Sequence, residues 1–399
     1  MERTELVELL SPEGLRLLDS LPPYDTIDVL KTVSDLRKAG HSPALVAAAL
    51  SQSRLRAKAL PKFGEFASRM LFTEAGLEQA TRLRVAALHA GRFAALDGQP
   101  SIVDLGCGIG GDAMAMAAID LNVTAVDADE VTATVASYNL APFPQANVEH
   151  SDAESVNLDA FDAAWLDPAR RTSGHSNTSR LTRPEDYSPA LGWAFGLATR
   201  MPIGIKLGPG HDRDQIPAEA EAQWVSVDGQ LVEMGLWFGA LAREGIRRSA
   251  LLLTHDGMAE LTAAADSEDA PVGELGSYVY EPDGAIIRAR LIGDLARSLG
   301  AEMLSEGIAY LTAPALVRTP FASAFRVLET LPVDEKKLRM ALQERRIGTL
   351  EIKKRGVDID PATLRTRLRL KGPESATLVL TRLAGHRVAL LVERVRPNS

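Results

Sequence analysis

The chain has 399 residues, 46% hydrophobic and 24% charged, the composition of a soluble globular protein long enough for two or three domains. A single cysteine excludes an internal disulfide and a multi-cysteine metal site, and with no membrane-length apolar run and no signal-peptide pattern after Met1-Glu2-Arg3 a cytoplasmic protein without a membrane partner is expected. The net charge of -9 argues against a surface that coats nucleic acid uniformly, yet residues 326–396 carry 17 Lys/Arg against 9 Asp/Glu, a net of +8, which leaves 27 against 44, a net of -17, for the rest.

Residues 1–97 read as helices. Ser11-Pro12 and Ser42-Pro43 each pair an N-cap with a first-turn proline. Gly40 is placed to end a helix that begins after Asp25. Thr73 is placed to cap one long helix reaching about Leu96, with Leu77, Ala80, Leu83, Ala87 and Leu88 at helical spacing. At Gln99-Pro100 the texture changes. Short apolar runs at 101–105, 123–126, 163–166 and 203–207 alternate with helical stretches, the signature of a parallel sheet wrapped by helices. Runs at 224–227 and 231–238 flank Asp228-Gly229, a strong hairpin signal. A parallel sheet closed by an antiparallel hairpin is an α/β arrangement that resembles the Rossmann-like sheet of class I methyltransferases.

Residues 250–253 read as one more strand, and an acidic, Ala-rich break near 266–271 marks the next boundary. Asp334 and Asp360-Pro361 open helices, 350–353 is a strand, and 377–383 with 387–392 form a hairpin around Gly385. Three domains follow: helices over 1–97, the sheet over 98–265, and a small α+β domain over 266–399 whose basic part is 326–396.

The segment Asp104-Leu105-Gly106-Cys107-Gly108-Ile109-Gly110-Gly111-Asp112 follows a strand and opens a helix. Its glycines serve either of two cofactors, because Gly106, Gly108 and Gly111 also spell a dinucleotide fingerprint. The neighbours favour S-adenosylmethionine. Asp104 at the strand end suits a ligand carrying an ammonium and a sulfonium, and would repel a pyrophosphate at the helix terminus. Asp127 ends the next strand and can hold ribose hydroxyls, which does not discriminate. Asp152, after the third strand, can accept the adenine amino group. Gly106, Gly108 and Gly110 supply the loop. Cys107 reads as a small packing residue.

Trp165-Leu166-Asp167-Pro168-Ala169-Arg170-Arg171 ends the fourth strand, and ligands bind at the carboxyl ends of parallel strands. Asp167 and Pro168 resemble the Asp/Asn-Pro-Pro-aromatic motif of methyltransferases acting on amino nitrogens, in which side-chain and proline oxygens accept bonds from the target amino group. Ala169 replaces the second proline. Arg170 replaces the aromatic, and a guanidinium can stack on a base or contact phosphate. Arg171 and Lys206, in Lys206-Leu207-Gly208-Pro209-Gly210 after the fifth strand, are candidates for substrate phosphate. Glu78-Gln79 and Glu233 are further candidates for the pocket. Covalent attack on a pyrimidine is disfavoured, since the single cysteine lies in the cofactor loop. His175 and His211 are isolated, so no metal is inferred.

Together these pieces resemble the bacterial class I methyltransferases with a C-terminal THUMP-like domain. The resemblance rests on Leu77-Glu78-Gln79-Ala80-Thr81, Asp104 to Asp112, Leu166 to Arg171, Lys206 to Gly210 and the tail from 325 to 396, including Leu331-Pro332-Val333-Asp334-Glu335-Lys336-Lys337 and Leu364-Arg365-Thr366-Arg367-Leu368-Arg369-Leu370. The family is also distantly similar to cap trimethylguanosine synthases, which methylate a guanine amino group. The resemblance implies S-adenosylmethionine as cofactor and RNA as partner, THUMP domains being RNA-binding modules elsewhere. The expected function is methylation of RNA at a base nitrogen, with Lys336, Lys337, Lys353, Lys354 and Arg355 in the tail gripping the chain and 353–355 sharing one face. Two other readings stay open: a small-molecule methyltransferase, and an RNA-binding protein that holds the cofactor with little catalysis.

Overall fold

The computed structural model describes residues 3–170 and 187–396. Contacts divide the chain into two units. The first comprises Met1–Leu207, Asp212–Ala220 and Leu236–Arg243, and the second comprises Gly208–His211, Glu221–Gly235 and Glu244–Ser399.

The first unit begins with six helices: α1 (Arg3–Leu9), α2 (Pro12–Ser20), α3 (Val29–Lys38), α4 (Pro43–Phe63), α5 (Glu74–Gln79) and α6 (Leu83–Ala94). Ser11 and Ser42 cap α2 and α4 through their side-chain oxygens, each with proline in the first helical turn. Gly40, at φ +98°, follows the end of α3. The single helix expected from Thr73 to about Leu96 is two helices. Thr73 caps α5, the chain extends at Ala80, and α6 starts at Leu83. The break has a cause. Lys62 Nζ lies 2.6–2.8 Å from the carbonyl oxygens of Leu77, Glu78 and Ala80, satisfying acceptors that a continuing helix would have used.

The sheet strands of this unit are β1 (Ser101–Leu105), β2 (Asn122–Asp127), β3 (Ala146–His150), β4 (Ala163–Leu166) and, after the short β5 (Ala169–Arg170) and β6 (Tyr187–Ser188) pair, β7 (Ile203–Leu207). Helices α7 (Gly111–Ala117), α8 (Glu130–Leu140) and α9 (Leu191–Leu197) intervene. β1 pairs with β2 and β4, β2 with β3, and β4 with β7, all parallel. The expected strands fall where the apolar runs placed them. One core cluster joins Leu45, Phe63, Phe72, Phe93, Ile109, Trp165 and Trp237.

The second unit contributes β8 (Glu221–Val227) and most of β9 (Gln230–Phe238), joined at Asp228 and Gly229, which take φ of +50° and +78°. It continues through β10 (Arg248–Thr254) and β11 (Gly257–Ala263), then β12 (Tyr278–Pro282), α10 (Gly284–Arg288), α11 (Ile292–Leu299), β13 (Glu302–Met303), β14 (Leu311–Ala313), β15 (Ala322–Leu331), α12 (Glu335–Glu344), β16 (Ile347–Lys354), α13 (Pro361–Leu368), β17 (Glu374–Leu383) and β18 (His386–Arg394). Within the first unit the strand order is β7-β4-β1-β2-β3, within the second it is β11-β10-β8-β9, and a further sheet of the second unit runs β13-β14-β12-β15-β18-β17-β16. The α/β sheet, the N-terminal helices and the C-terminal α+β fold are those the sequence implies. The C-terminal core lies between α12, α13 and β16 to β18, through Leu338, Leu342, Leu350, Ile352, Leu364 and Leu378.

Gly204 lies in β7 where the rings of Trp165 and Trp237 stack at 5.4 Å, and a Cβ on it would fall 2.7 Å from atoms of both. Neither ring can retreat, since both are fully buried. Gly204→Ala should therefore lower stability by about 1–3 kcal/mol, read as a lower denaturant midpoint with an unchanged slope.

Candidate functional site

Two loops meet at the carboxyl ends of the central strands. Register sets Asp104 of β1 opposite Trp165 of β4, and Leu105 opposite Leu166. The chain leaving β1 turns through Gly106, Gly108 and Gly110, all at positive φ (+82°, +56° and +82°). A Cβ on Gly106 would lie 3.1 Å from the Asp167 carbonyl oxygen, so the glycine loop and the Asp167 loop are packed backbone to backbone. A Cβ on Gly108 would meet nothing within 4 Å. That residue borders open space where a ligand can approach the chain. On the other side Gly76 of α5 lets the helix close on Ile109, whose side chain a Cβ there would meet at 2.5 Å.

Asp104, Asp112, Asp127 and Asp167 gather here. Asp104 is 1% exposed, and neither carboxylate oxygen has a hydrogen-bond partner among the described residues. Burial raises its proton affinity well above the usual carboxylate range, Asp112 and Asp167 raise it further, and Lys206 opposes them. Asp112 is buried too, and burial alone would raise it. Its partners prevail and hold it below the ordinary range: His89 Nδ1 at 2.8 Å from Oδ1, and the Thr81 hydroxyl donating to Oδ2 at 2.7 Å. Lys206 Nζ lies 2.5 Å from Asp167 Oδ2 and donates to Thr81 Oγ1 at 2.9 Å. It is an ion-paired lysine at the strand end.

Asp127 Oδ2 accepts from the Gly108 N–H at 3.0 Å and Oδ1 from the Asp129 N–H at 2.9 Å, so this carboxylate braces the loop while keeping lone pairs for hydroxyls. Burial leads the causes that raise its pKa. Asp152 is exposed and caps a short 3₁₀ turn by accepting from the Glu154 N–H at 3.0 Å. Cys107 is buried in the core cluster, and burial pushes its thiol up, the opposite of an activated nucleophile. Arg171 and His175 lie outside the described residues, as does the side chain of Arg170. Among the described residues no group of three or more His, Cys, Asp or Glu could hold a metal, and no helix is long and apolar enough to cross a membrane.

Thr81, His89 and Asp112 form the part of the site that sequence reasoning gave no role. The available signal was Asp112 itself, an acid inside the otherwise apolar turn Gly-Asp-Ala-Met-Ala-Met-Ala.

Comparison with known proteins decides the family. Two Mycobacterium tuberculosis proteins, from strains CDC 1551 / Oshkosh and ATCC 25618 / H37Rv, are each described as an uncharacterized S-adenosylmethionine-dependent methyltransferase. Each is 34% identical over 339 residues, spanning 82% of this chain and 90% of its own. The chain belongs to the S-adenosylmethionine-dependent methyltransferases. Residues 322–394 of this methyltransferase match a family described as THUMP domain-like, and residues 2–59 match a domain of unknown function. A solved Porphyromonas gingivalis W83 chain, described as a candidate methyltransferase, shares the fold with a TM-score of 0.74 at 20% identity, over 99% of both chains.

The residues fit the methyltransferase cofactor. An orphaned, buried carboxylate beside a glycine loop matches the ammonium of S-adenosylmethionine, because a cation restores the ionised form that burial disfavours.

In the THUMP-like region, Lys336 and Lys337 are exposed on the first turn of α12. Lys353, Lys354 and Arg355 do not share one face, because side chains alternate along a strand. Lys353 donates to Glu281 Oε2 at 2.6 Å and Arg355 lies 4.0 Å from Glu281 Oε1, while Lys354 is exposed.

The raised Asp104 predicts a trade between stability and binding. The folded chain holds this proton more tightly than the unfolded chain, so stability falls as pH rises from the ordinary carboxylate range toward the raised value. Asp104→Asn removes that loss. Without ligand the variant should melt higher than wild type at neutral pH, and its S-adenosylhomocysteine affinity should drop roughly 10- to 100-fold, the scale of a lost charge-assisted hydrogen bond. Calorimetry at several pH values checks both. A variant that melts lower and binds normally contradicts the assignment.

Proposed function

We propose that this methyltransferase acts on RNA at a base amino nitrogen, with the helices of 1–97 beside the pocket, the sheet of 98–265 holding cofactor and acceptor, and the basic part of 266–399 gripping the chain. The observation that carries the reading is Asp167. It is a carboxylate 31% exposed at the end of a central parallel strand, with its backbone against Gly106 of the glycine loop.

In this reading Asp104 takes the cofactor ammonium. Gly106, Gly108 and Gly110 let the ligand approach the backbone, Asp127 takes ribose hydroxyls, and Asp152 takes the adenine amino group. The bound cofactor supplies an electrophilic methyl. Asp167 and the Pro168 carbonyl accept hydrogen bonds from the target amino group and aim its lone pair. That positioning is worth up to roughly 7–11 kcal/mol when geometry is ideal. Arg170 and Arg171, next along the chain, supply stacking or phosphate contact. The support for RNA is the match of 322–394 to a THUMP domain-like family, together with the net charge of +8 over 326–396.

Incubating the protein with methyl-labelled S-adenosylmethionine and RNA from a strain lacking the gene should label one nucleoside on an exocyclic nitrogen. Label on small metabolites and none on RNA would favour the small-molecule reading. Asp167→Ala should lower transfer by two to three decades, on the order of 3–4 kcal/mol, with cofactor affinity within a few-fold. Near-normal turnover would remove Asp167 from the site.

The tail makes a separate prediction. Each phosphate contact releases condensed counterions, so RNA affinity should fall with salt at roughly 0.7 in log–log slope per contact. Replacing the exposed Lys336, Lys337 and Lys354 by Ala should flatten that slope and weaken RNA binding, with cofactor affinity and melting temperature almost unchanged. An intact slope in the triple variant would show that other residues hold the RNA.

A further inference from the structure

Lys206 stands at the carboxyl end of β7, where a cation invites assignment to a substrate phosphate. Its surroundings argue otherwise. The side chain is 12% exposed. Its Nζ reaches Asp167 Oδ2 at 2.5 Å, Thr81 Oγ1 at 2.9 Å and the Gln79 carbonyl at 3.5 Å. These partners come from two places: the loop after β4, and the end of α5 with the bend that follows it. A phosphate seeking this ammonium would have to displace Asp167. It would also have to approach Asp104 and Asp112, both within electrostatic reach of Lys206, where like charges repel.

The contacts also have a direction. A threonine hydroxyl carries one hydrogen, and Thr81 gives it to Asp112 Oδ2, so its lone pairs face Lys206. Asp112 accepts on both oxygens, from Thr81 and from His89, whose ring packs on Trp165 at 4.3 Å between centroids. The chain of donors therefore runs inward from Lys206 to Thr81 to Asp112, anchored on the rigid core by His89. The ammonium points one hydrogen at Thr81 and another at Asp167.

We propose that Lys206 is a positioning residue for methyl transfer: held by Thr81, it fixes the Asp167 carboxylate through Oδ2 at the place where the acceptor amino group binds. The inference rests on the reading of Asp167 as the acceptor ligand. It also assigns a use to the buried Thr81–Asp112–His89 group, which otherwise has none in the reaction. Lys206 lowers the proton affinity of both Asp104 and Asp112, so the same cation serves the cofactor side and the acceptor side of the site.

The test uses the full-length protein as Lys206→Met, Lys206→Arg and Thr81→Val. Carbon-13 labelling of the aspartates, with Asp167→Asn to assign the signal, gives the titration midpoint of Asp167 by NMR without any acceptor. Lys206→Met should raise that midpoint by about one pH unit or more, and Lys206→Arg should restore most of it. With RNA from the deletion strain as acceptor, Lys206→Met should lose roughly 100-fold in single-turnover rate, most severely on the acid side of the pH profile. Thr81→Val should shift both readouts in the same direction by less, and it decides the matter should Lys206→Met fail to fold. An unmoved midpoint overturns the proposal, as does a moved midpoint with wild-type rate. Should the wild-type protein label no RNA, the RNA reading fails, while the titration still decides whether Lys206 holds Asp167.

Discussion

A carboxylate buried away from any partner resists ionisation, because the low-dielectric interior replaces water that would have solvated its charge. Asp104 is such a group, and three more aspartates lie within electrostatic reach of it. The rest of the site is arranged around that excess of negative charge. Lys206 is drawn in between Asp167 and Thr81. His89 is committed to Asp112, and Asp127 is tied to loop N–H groups. Each of those three carboxylates is satisfied by a neighbour, whereas neither oxygen of Asp104 has a hydrogen-bond partner among the described residues. A cation entering beside the glycine loop would favour the ionised form of Asp104 that burial disfavours, so a methyl donor with an ammonium and a sulfonium suits such a pocket better than a pyrophosphate.

The fold serves this arrangement through backbone proximity. Parallel pairing of β1 with β4 brings the glycine loop and the Asp167 loop to the same sheet edge, and the absence of a Cβ at Gly106 lets them touch. The break between α5 and α6, stabilised by Lys62 on three carbonyls, delivers Thr81 to Asp112 and Lys206. Burial and the nearby cations Arg82 and Lys206 lower Lys62 to about 8.

Much of this was legible in the sequence because the signals are local. Ser-Pro pairs, Asp228-Gly229 and the apolar runs at 101–105 and 163–166 fix elements through neighbours in the chain, and Asp104 and Asp167 follow from strand ends. What escaped depends on partners distant in sequence. Helical spacing from Leu77 to Leu88 predicts one helix, and nothing local reveals that Lys62 will take the carbonyls that interrupt it. Lys206 reads as a phosphate ligand until Asp167, 39 positions earlier, is seen beside it. Lys353 reads as a free cation until Glu281 claims it. Charge counts along a chain cannot tell which cations remain for a polyanion once intramolecular pairing is complete.

The central claim is that Asp104 is reserved for the cofactor ammonium. The most direct test compares S-adenosylhomocysteine with its analogue lacking the amino group, by calorimetry, on wild type and Asp104→Asn, as a double-mutant cycle. The account predicts that removing the amino group weakens binding to wild type by roughly tenfold or more and changes little in the variant, so that the two losses are not additive. Equal losses in both proteins would place the ammonium elsewhere and contradict it.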